Sequence, residues 1–250
     1  HGRSFWILDD LTPLHQITED VAESSAFLFK PKDTYRVEGR GMEGARVYYY
    51  LASEPEGEVK LEFLDSDDKL IQTFSSEEES AIAATAGTNR FVWDLRYPGA
   101  DLVPDSSFFD GDRGPRAVPG TYKVRIIAKE WTQTESFEIK KDPRLSTTQE
   151  DYQKQFDLAI EIRNKLTELN NAIGKIRYVR HQVQNLTSTL KEAGYGDELT
   201  QASHMLSEKL TSVEQQLIQT EYEKGADMMI NVGPRLDNRF NYVSRVVLGS

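Results

Sequence analysis

The sequence predicts an α+β chain of more than one domain. A β-sandwich over residues 20–141 is followed by an antiparallel α-helical bundle over 142–250, and a strand with its linker precedes both over 1–19. Three observations carry this. Residues 1–147 hold short β-branched and aromatic runs bounded by Gly, Pro and Asp, whereas residues 148–250 hold long polar segments with helical spacing and almost no proline. The charge changes at the same place, from 27 acidic and 18 basic side chains in 1–147 to 14 and 12 in 148–250. Pro143 then blocks a strand, and Ser146-Thr147-Thr148 with Glu150 offers helix N-cap residues.

Ser4-Phe5-Trp6-Ile7-Leu8 is a single apolar run, read as a buried strand that Asp9-Asp10 closes. Ala26-Phe27-Leu28-Phe29 stops before Pro31, and Arg46 to Leu51 is β-branched and aromatic throughout. Val59, Leu61 and Phe63 alternate with Lys60 and Glu62, which gives one core face and one wet face. Asp65-Ser66-Asp67-Asp68 turns the chain into Leu70-Ile71-Gln72-Thr73-Phe74, a hairpin by its turn residues. Arg90 to Leu95 is a further strand, with Trp93 on its core side. Tyr122, Val124 and Ile126 alternate after Pro119-Gly120, and Trp131 to Ile139 pairs back on them. About seven strands with frequent turn signals match a sandwich of immunoglobulin type. Residues 101–118 read as a long loop, in which Asp105, Asp110 and Asp112 fit no full calcium pattern, Phe108-Phe109 packs back on the sandwich, and an acidic solvated surface is the expectation.

In the second half the apolar positions Phe156, Ala159, Ile162, Leu166, Leu169, Ile173, Ile176, Val179 or Val183, Leu186 and Leu190 step by three and four. The stripe keeps its phase across Asn170-Asn171 and Gly174, so one helix is expected over 149–192, roughly 65 Å long. Gly194-Tyr195-Gly196 ends it. Asp197 caps a second helix expected over about 198–222, marked by Leu199, Met205 or Leu206, Leu210, Val213 and Leu217, and Leu236, Phe240, Val243 and Val246 or Val247 mark a third after Pro234. The second and third are expected end to end along the first, with Gly225 to Gly233 as a joint whose Met228, Met229, Ile230 and Val232 tuck inward. Such a rod would space the sandwich from a partner or brace it.

The 250 residues carry a net charge of −11, which argues against nucleic acid and anionic membranes as main partners. No apolar window is long enough to span a bilayer. With no cysteine, the chain has no disulfide, thiolate metal site or thiol nucleophile. His1, His15, His181 and His204 lack metal-ligand spacing, and no nucleophile elbow, phosphate loop or dinucleotide fingerprint occurs. Glu77-Glu78-Glu79 reads as a solvated run, and Asp94 beside Trp93 is tempting for sugar stacking, though Trp93 alternates as core. Asn185-Leu186-Thr187 matches a glycosylation sequon inside a helix. No catalytic residue, metal or cofactor is assigned, and no particular binding residue is singled out.

The opening His1-Gly2-Arg3-Ser4-Phe5-Trp6-Ile7-Leu8-Asp9-Asp10-Leu11-Thr12-Pro13-Leu14 resembles the close of the last blade in large bacterial secreted proteins with sortilin-like, BNR-repeat β-propellers, often labelled glycosyl hydrolases. The resemblance continues through Asn89 to Ala100, Pro119 to Arg125, Asp142-Pro143-Arg144, Gln155 to Ala159 and Pro234 to Arg239. Residues 119–125 are also similar to the Ig-like module of flagellar hook-capping proteins. The resemblance implies an extracytoplasmic bacterial protein with a propeller upstream of His1, and it hands over no catalytic residue in this segment. His1 in place of Met, with no charged-then-apolar leader, agrees with a chain that begins inside a longer protein. The implied function is a non-catalytic accessory module that supports protein or glycan binding, its partner being the propeller or another chain. The alternatives are a segment lending carboxylates to a glycoside hydrolase, which needs two carboxyls at set separations, and a structural stalk.

Overall fold

The computed structural model describes residues 10–37, 44–78, 82–103, 113–194, 197–218 and 235–248. Its α+β content divides into two compact units, 1–97 with 116–153 and 98–115 with 154–250. The expected strand at 4–8, the acidic residues of the 101–118 loop from Asp105 to Asp112, and the apolar joint 225–233 lie outside the described residues.

In the first unit, a one-turn helix, α1 (Glu19–Glu23), starts where the Thr18 hydroxyl accepts from the Val21 N–H. β1 (Ala26–Leu28), β3 (Ala45–Leu51) and β6 (Gly87–Trp93) form an antiparallel sheet in the order β1-β3-β6. β2 (Thr34–Arg36), β10 (Trp131–Lys141), β9 (Gly120–Ala128), β4 (Val59–Leu64) and β5 (Leu70–Ser75) form a second sheet in that order. Within it only the β2–β10 pair is parallel. Strict alternation explains why each sheet buries one face. Val47, Tyr49 and Leu51 on β3, Val59, Leu61 and Phe63 on β4, and Tyr122, Val124 and Ile126 on β9 all enter one hydrophobic cluster. Its centre is Trp93, fully buried, with its ring stacked 4.5 Å from Phe63 and its Nε1 donating to the Arg96 carbonyl at 3.0 Å.

Three strands escaped the sequence reading. β2 is only three residues long and follows Pro31 and two charged residues. β7 (Arg96–Pro98) and β8 (Arg113–Arg116) pair with each other, and β8 lies inside 101–118, where the sequence predicts a loop throughout. Gly114-Pro115 in its middle has the composition of a turn, and only a facing strand overrides that.

β10 ends ahead of Pro143 through an ion pair. The Asp142 carboxylate accepts from the Arg144 backbone N–H at 2.9 Å and from its guanidinium at 2.6–3.2 Å, and is itself buried. Arg144's hydrogen bonds hold the Asp142 carboxyl down to about 2. A depressed carboxyl contributes stability above its unfolded value of about 4, and loses it as pH falls through the folded one. Part of the acid unfolding should therefore fall between about pH 4 and 2. Asp142→Asn should remove that part in a thermal melt series against pH.

The second unit is built on α2 (Gln149–Glu192), unbroken through Asn170-Asn171. Its start is a reciprocal cap in which the Thr148 hydroxyl accepts from the Asp151 N–H at 3.2 Å while Asp151 accepts from the Thr148 N–H at 3.0 Å. Asp151, three residues into the helix, takes the role sequence had offered to Glu150. Gly194 closes the helix with φ +75° and its N–H on the Lys191 carbonyl. α3 (Asp197–Leu217) and α4 (Leu236–Leu248) follow; α3 stops at Leu217, short of the expected end near Tyr222, and Ile218 already leaves the helix to join the core cluster of Leu169 and Ile173.

Contacts order both helices along α2. Arg180 reaches Thr211 and Glu214, and Arg177 Nε donates to Glu214 at 2.7 Å. Ile218 joins Leu169 and Ile173, Phe240 meets both that cluster and Ile162 with Leu166, and Gln155 donates to the Val247 carbonyl at 2.8 Å. α3 and α4 therefore run one after the other, antiparallel to α2. Ala100 and Val103 enter the same clusters, and the Asp101 carbonyl accepts from Asn170, which is why residues 98–103 group with the helices. Ala159, Ile162, Leu166, Leu169 and Ile173 of the stripe are buried. Beyond Ile176 the stripe is only partly covered: Val183 and Leu190 are half-buried, whereas Val179 and Leu186 are exposed.

Candidate functional site

Most residues weighed from sequence stand apart. Trp93 is sealed in the core, so it offers no ring to a sugar, and Asp94 is exposed and accepts from the Arg96 N–H at 3.0 Å. His15, His181 and His204 are exposed and come from three separate elements or turns. Glu77 and Glu78 are exposed, as a solvated run would be. Asp105, Phe108, Phe109, Asp110, Asp112, Glu79 and His1 lie outside the described residues.

The structure instead brings together a set that sequence did not connect. A polar cleft of about 250 Å³ in the first unit is lined by Asp10, Lys32, Asp33, Thr34, Tyr35, Gly44 and Arg46. Three chain segments build it. Pro31 and the parallel pairing of β2 with β10 present Lys32 to Tyr35; Gly44 immediately precedes β3, which projects Arg46 away from the core; Asp10 comes from the chain ahead of α1. Thr34 Oγ1 donates to the Gly44 carbonyl at 3.4 Å, tying the two strand starts together.

Gly44 has a steric reason to be glycine. A Cβ there would stand 1.6 Å from the Trp93 carbonyl oxygen, a backbone atom in the facing strand that cannot swing aside. Gly44→Ala is expected to spread β3 from β6 at the cleft, costing about 1–3 kcal/mol as overpacking does. A chemical-denaturation midpoint no lower than wild type would contradict that close approach.

Both carboxylates of the cleft are held ionised. Burial pushes the Asp10 carboxyl up, but the Thr12 side chain, the Thr12 N–H at 3.0 Å and the charges of Arg46 and Lys32 outweigh it, and the net shift is downward. Arg46 Nη1 lies 3.6 Å from its Oδ2. Asp33 is lowered chiefly by the Lys140 ammonium at 2.7 Å, with the Glu138 N–H at 3.1 Å adding to it. The cleft therefore presents fixed charges of both signs and, at its wall, the half-exposed ring of Tyr35. The interactions such a surface can offer a polar ligand are charge-assisted hydrogen bonds and ring stacking. Its two carboxylates are poorly suited to donate a proton near neutral pH, because a carboxyl acting as general acid has to be raised toward the working pH.

No family model matches the chain, and no curated protein matches it. Among solved structures, the β-glucuronidase of Ruminococcus gnavus aligns with 46% of this chain and 16% of its own, at 14% identity and a TM-score of 0.20. The same enzyme in complex with uronic isofagomine aligns at 14% identity and a TM-score of 0.21, and its apo form at 13% and 0.21. The chain thus spans about 16% of the length of those enzymes. A likeness of that extent assigns neither fold nor activity.

The sequence reads Asp10 as the close of a strand and assigns no role to Lys32 or Asp33. The one local signal was Gly44-Ala45-Arg46, a glycine at a strand start with a charged residue on the wet face. That signal names neither the second strand nor Asp10.

Proposed function

We propose that the chain is a non-catalytic accessory module of an extracytoplasmic bacterial propeller protein, and that it holds a polar partner, a protein segment or a glycan, in the cleft of Asp10, Lys32, Asp33, Tyr35 and Arg46. The observation that carries this reading is the cleft's chemistry: two carboxylates kept ionised, two cations and an exposed ring. The resemblance of residues 1–14 to the close of a propeller blade supports the context. We read the first unit as an immunoglobulin-type sandwich, which supports the class. The sheet order β10-β9-β4-β5 has the G-F-C-C′ pattern of such domains. The Tyr122 hydroxyl, near the start of β9, donates to the Val118 carbonyl four residues upstream at 2.8 Å, as in a tyrosine corner.

The test is binding and turnover measured side by side on the 250-residue chain, using a panel of neutral and acidic oligosaccharides and peptides. Expected are a calorimetric binding signal for at least one class, no release of reducing sugar, and about a tenfold loss of affinity in Tyr35→Ala and Arg46→Ala. Reducing-sugar release abolished by Asp10→Asn or Asp33→Asn would overturn the accessory reading in favour of a glycosidase contribution. Absence of any ligand across the panel would favour the structural stalk.

A further inference from the structure

The distal halves of α2 and α3 carry apolar residues where the pair meets solvent. Residues 173, 177 and 180 of α2 face α3 through 211, 214 and 218. Val179 and Leu186 stand one residue before positions 180 and 187 on α2, and Leu199, Leu206 and Val213 one residue before 200, 207 and 214 on α3. One step back is a turn of about 100° around a helix. Because the helices are antiparallel, that step takes both stripes to the same side of the pair. All five side chains are exposed, from 39% for Val179 to 58% for Leu186.

The stripes are also level with each other. The Arg180–Thr211 and Arg177–Glu214 contacts set the register, which places Val179 beside Val213 and Leu186 beside Leu206. The two layers lie roughly 10 Å apart along the axis, since each stripe repeats every seven residues. A seven-residue repeat is the spacing that lets helices pack along a continuous seam. The charges of the two helices are opposite: residues 175–192 have a net of +3 and residues 197–214 a net of −3.

We propose that this face docks a second copy of the same chain, through a two-fold axis parallel to the helices, to form a four-helix bundle. That axis keeps every layer at its own height, so valine meets valine and leucine meets leucine. It also seats the basic α2 of one copy over the acidic α3 of the other, antiparallel to it. A two-fold axis perpendicular to the helices would stack α2 on α2 and α3 on α3, like charge on like. The face measures roughly 25 Å by 20 Å, about 500 Å² on each copy, which is at the small end of specific interfaces and suits a reversible dimer.

Sedimentation equilibrium from low micromolar to several hundred micromolar chain tests the proposal. A monomer–dimer equilibrium is expected. Leu186→Glu and Leu206→Glu should each weaken it by about tenfold or more while leaving helical circular dichroism and the melting temperature intact. Ser188→Glu, on the opposite side of α2, should leave it unchanged. The cysteine-free chain allows a direct check of the axis: mixed Val179→Cys and Val213→Cys chains should cross-link to each other on oxidation, and neither should cross-link to itself. A monomer at every concentration, or a dimer indifferent to both glutamates, would overturn the proposal. Self-cross-linking of Val179→Cys would overturn the parallel axis.

Discussion

Replacing Trp93 with alanine is expected to cost the first unit about 3–5 kcal/mol, the range for deleting a large buried ring. The side chain is fully buried, stacks on Phe63 at 4.5 Å, and lies within 6.4 Å of the rings of Tyr122 and Phe137. Phe63 and Trp93 sit on different sheets, so the deletion empties the space the sheets share. It also leaves the Arg96 carbonyl without the indole N–H. Trp93→Phe separates these effects, because it keeps most of the packing and loses the hydrogen bond, worth about 1 kcal/mol. Urea unfolding followed by tyrosine and tryptophan fluorescence checks both. A Trp93→Ala midpoint within error of wild type would mean that the two sheets do not share this core.

Ile173→Asp should abolish the helical packing of the second unit. Ile173 is wholly buried among Leu169, Val103 and Ile218, where a carboxylate finds no partner among the residues of its cluster. Burying an unpaired charge costs several kcal/mol even after the group takes up a proton to escape it. Ile173→Val, which removes one methylene at the same point, should cost only about 0.5–1.5 kcal/mol. Circular dichroism at 222 nm against temperature distinguishes the two. An unchanged melt for Ile173→Asp would refute the burial of this stripe.

Ile173 shows both what was legible and where legibility stopped. Steps of three and four from Ala159 to Ile173 predicted a continuous helix and its buried face, and the helix runs over 149–192 as the spacing implied. The same periodicity continues through Val179 and Leu186, yet those residues are exposed. Period reports which side of a helix is apolar; it carries no information on whether something covers that side. Strand alternation behaved likewise. Val59, Leu61 and Phe63 were placed correctly on the core face, because alternation is a property of one segment.

The cleft belongs to a different category. Asp10, Asp33 and Arg46 meet because a three-residue strand, β2, pairs in parallel with β10 more than a hundred residues away, and because Gly44 lets β3 approach the end of β6. No local pattern marks a three-residue strand, and the downward shifts of both carboxyls come from Lys140, Glu138, Thr12 and Arg46, most of them distant in sequence. By itself the sequence determined what depends on neighbours along the chain: the α+β class, the main strands, the full extent of the long helix and the apolar faces of the helices. Tertiary structure decided what depends on neighbours through space: the short strands, the extent of burial, and the ionised, partnered state of the cleft's carboxylates, which a residue acquires only from the groups that folding brings against it.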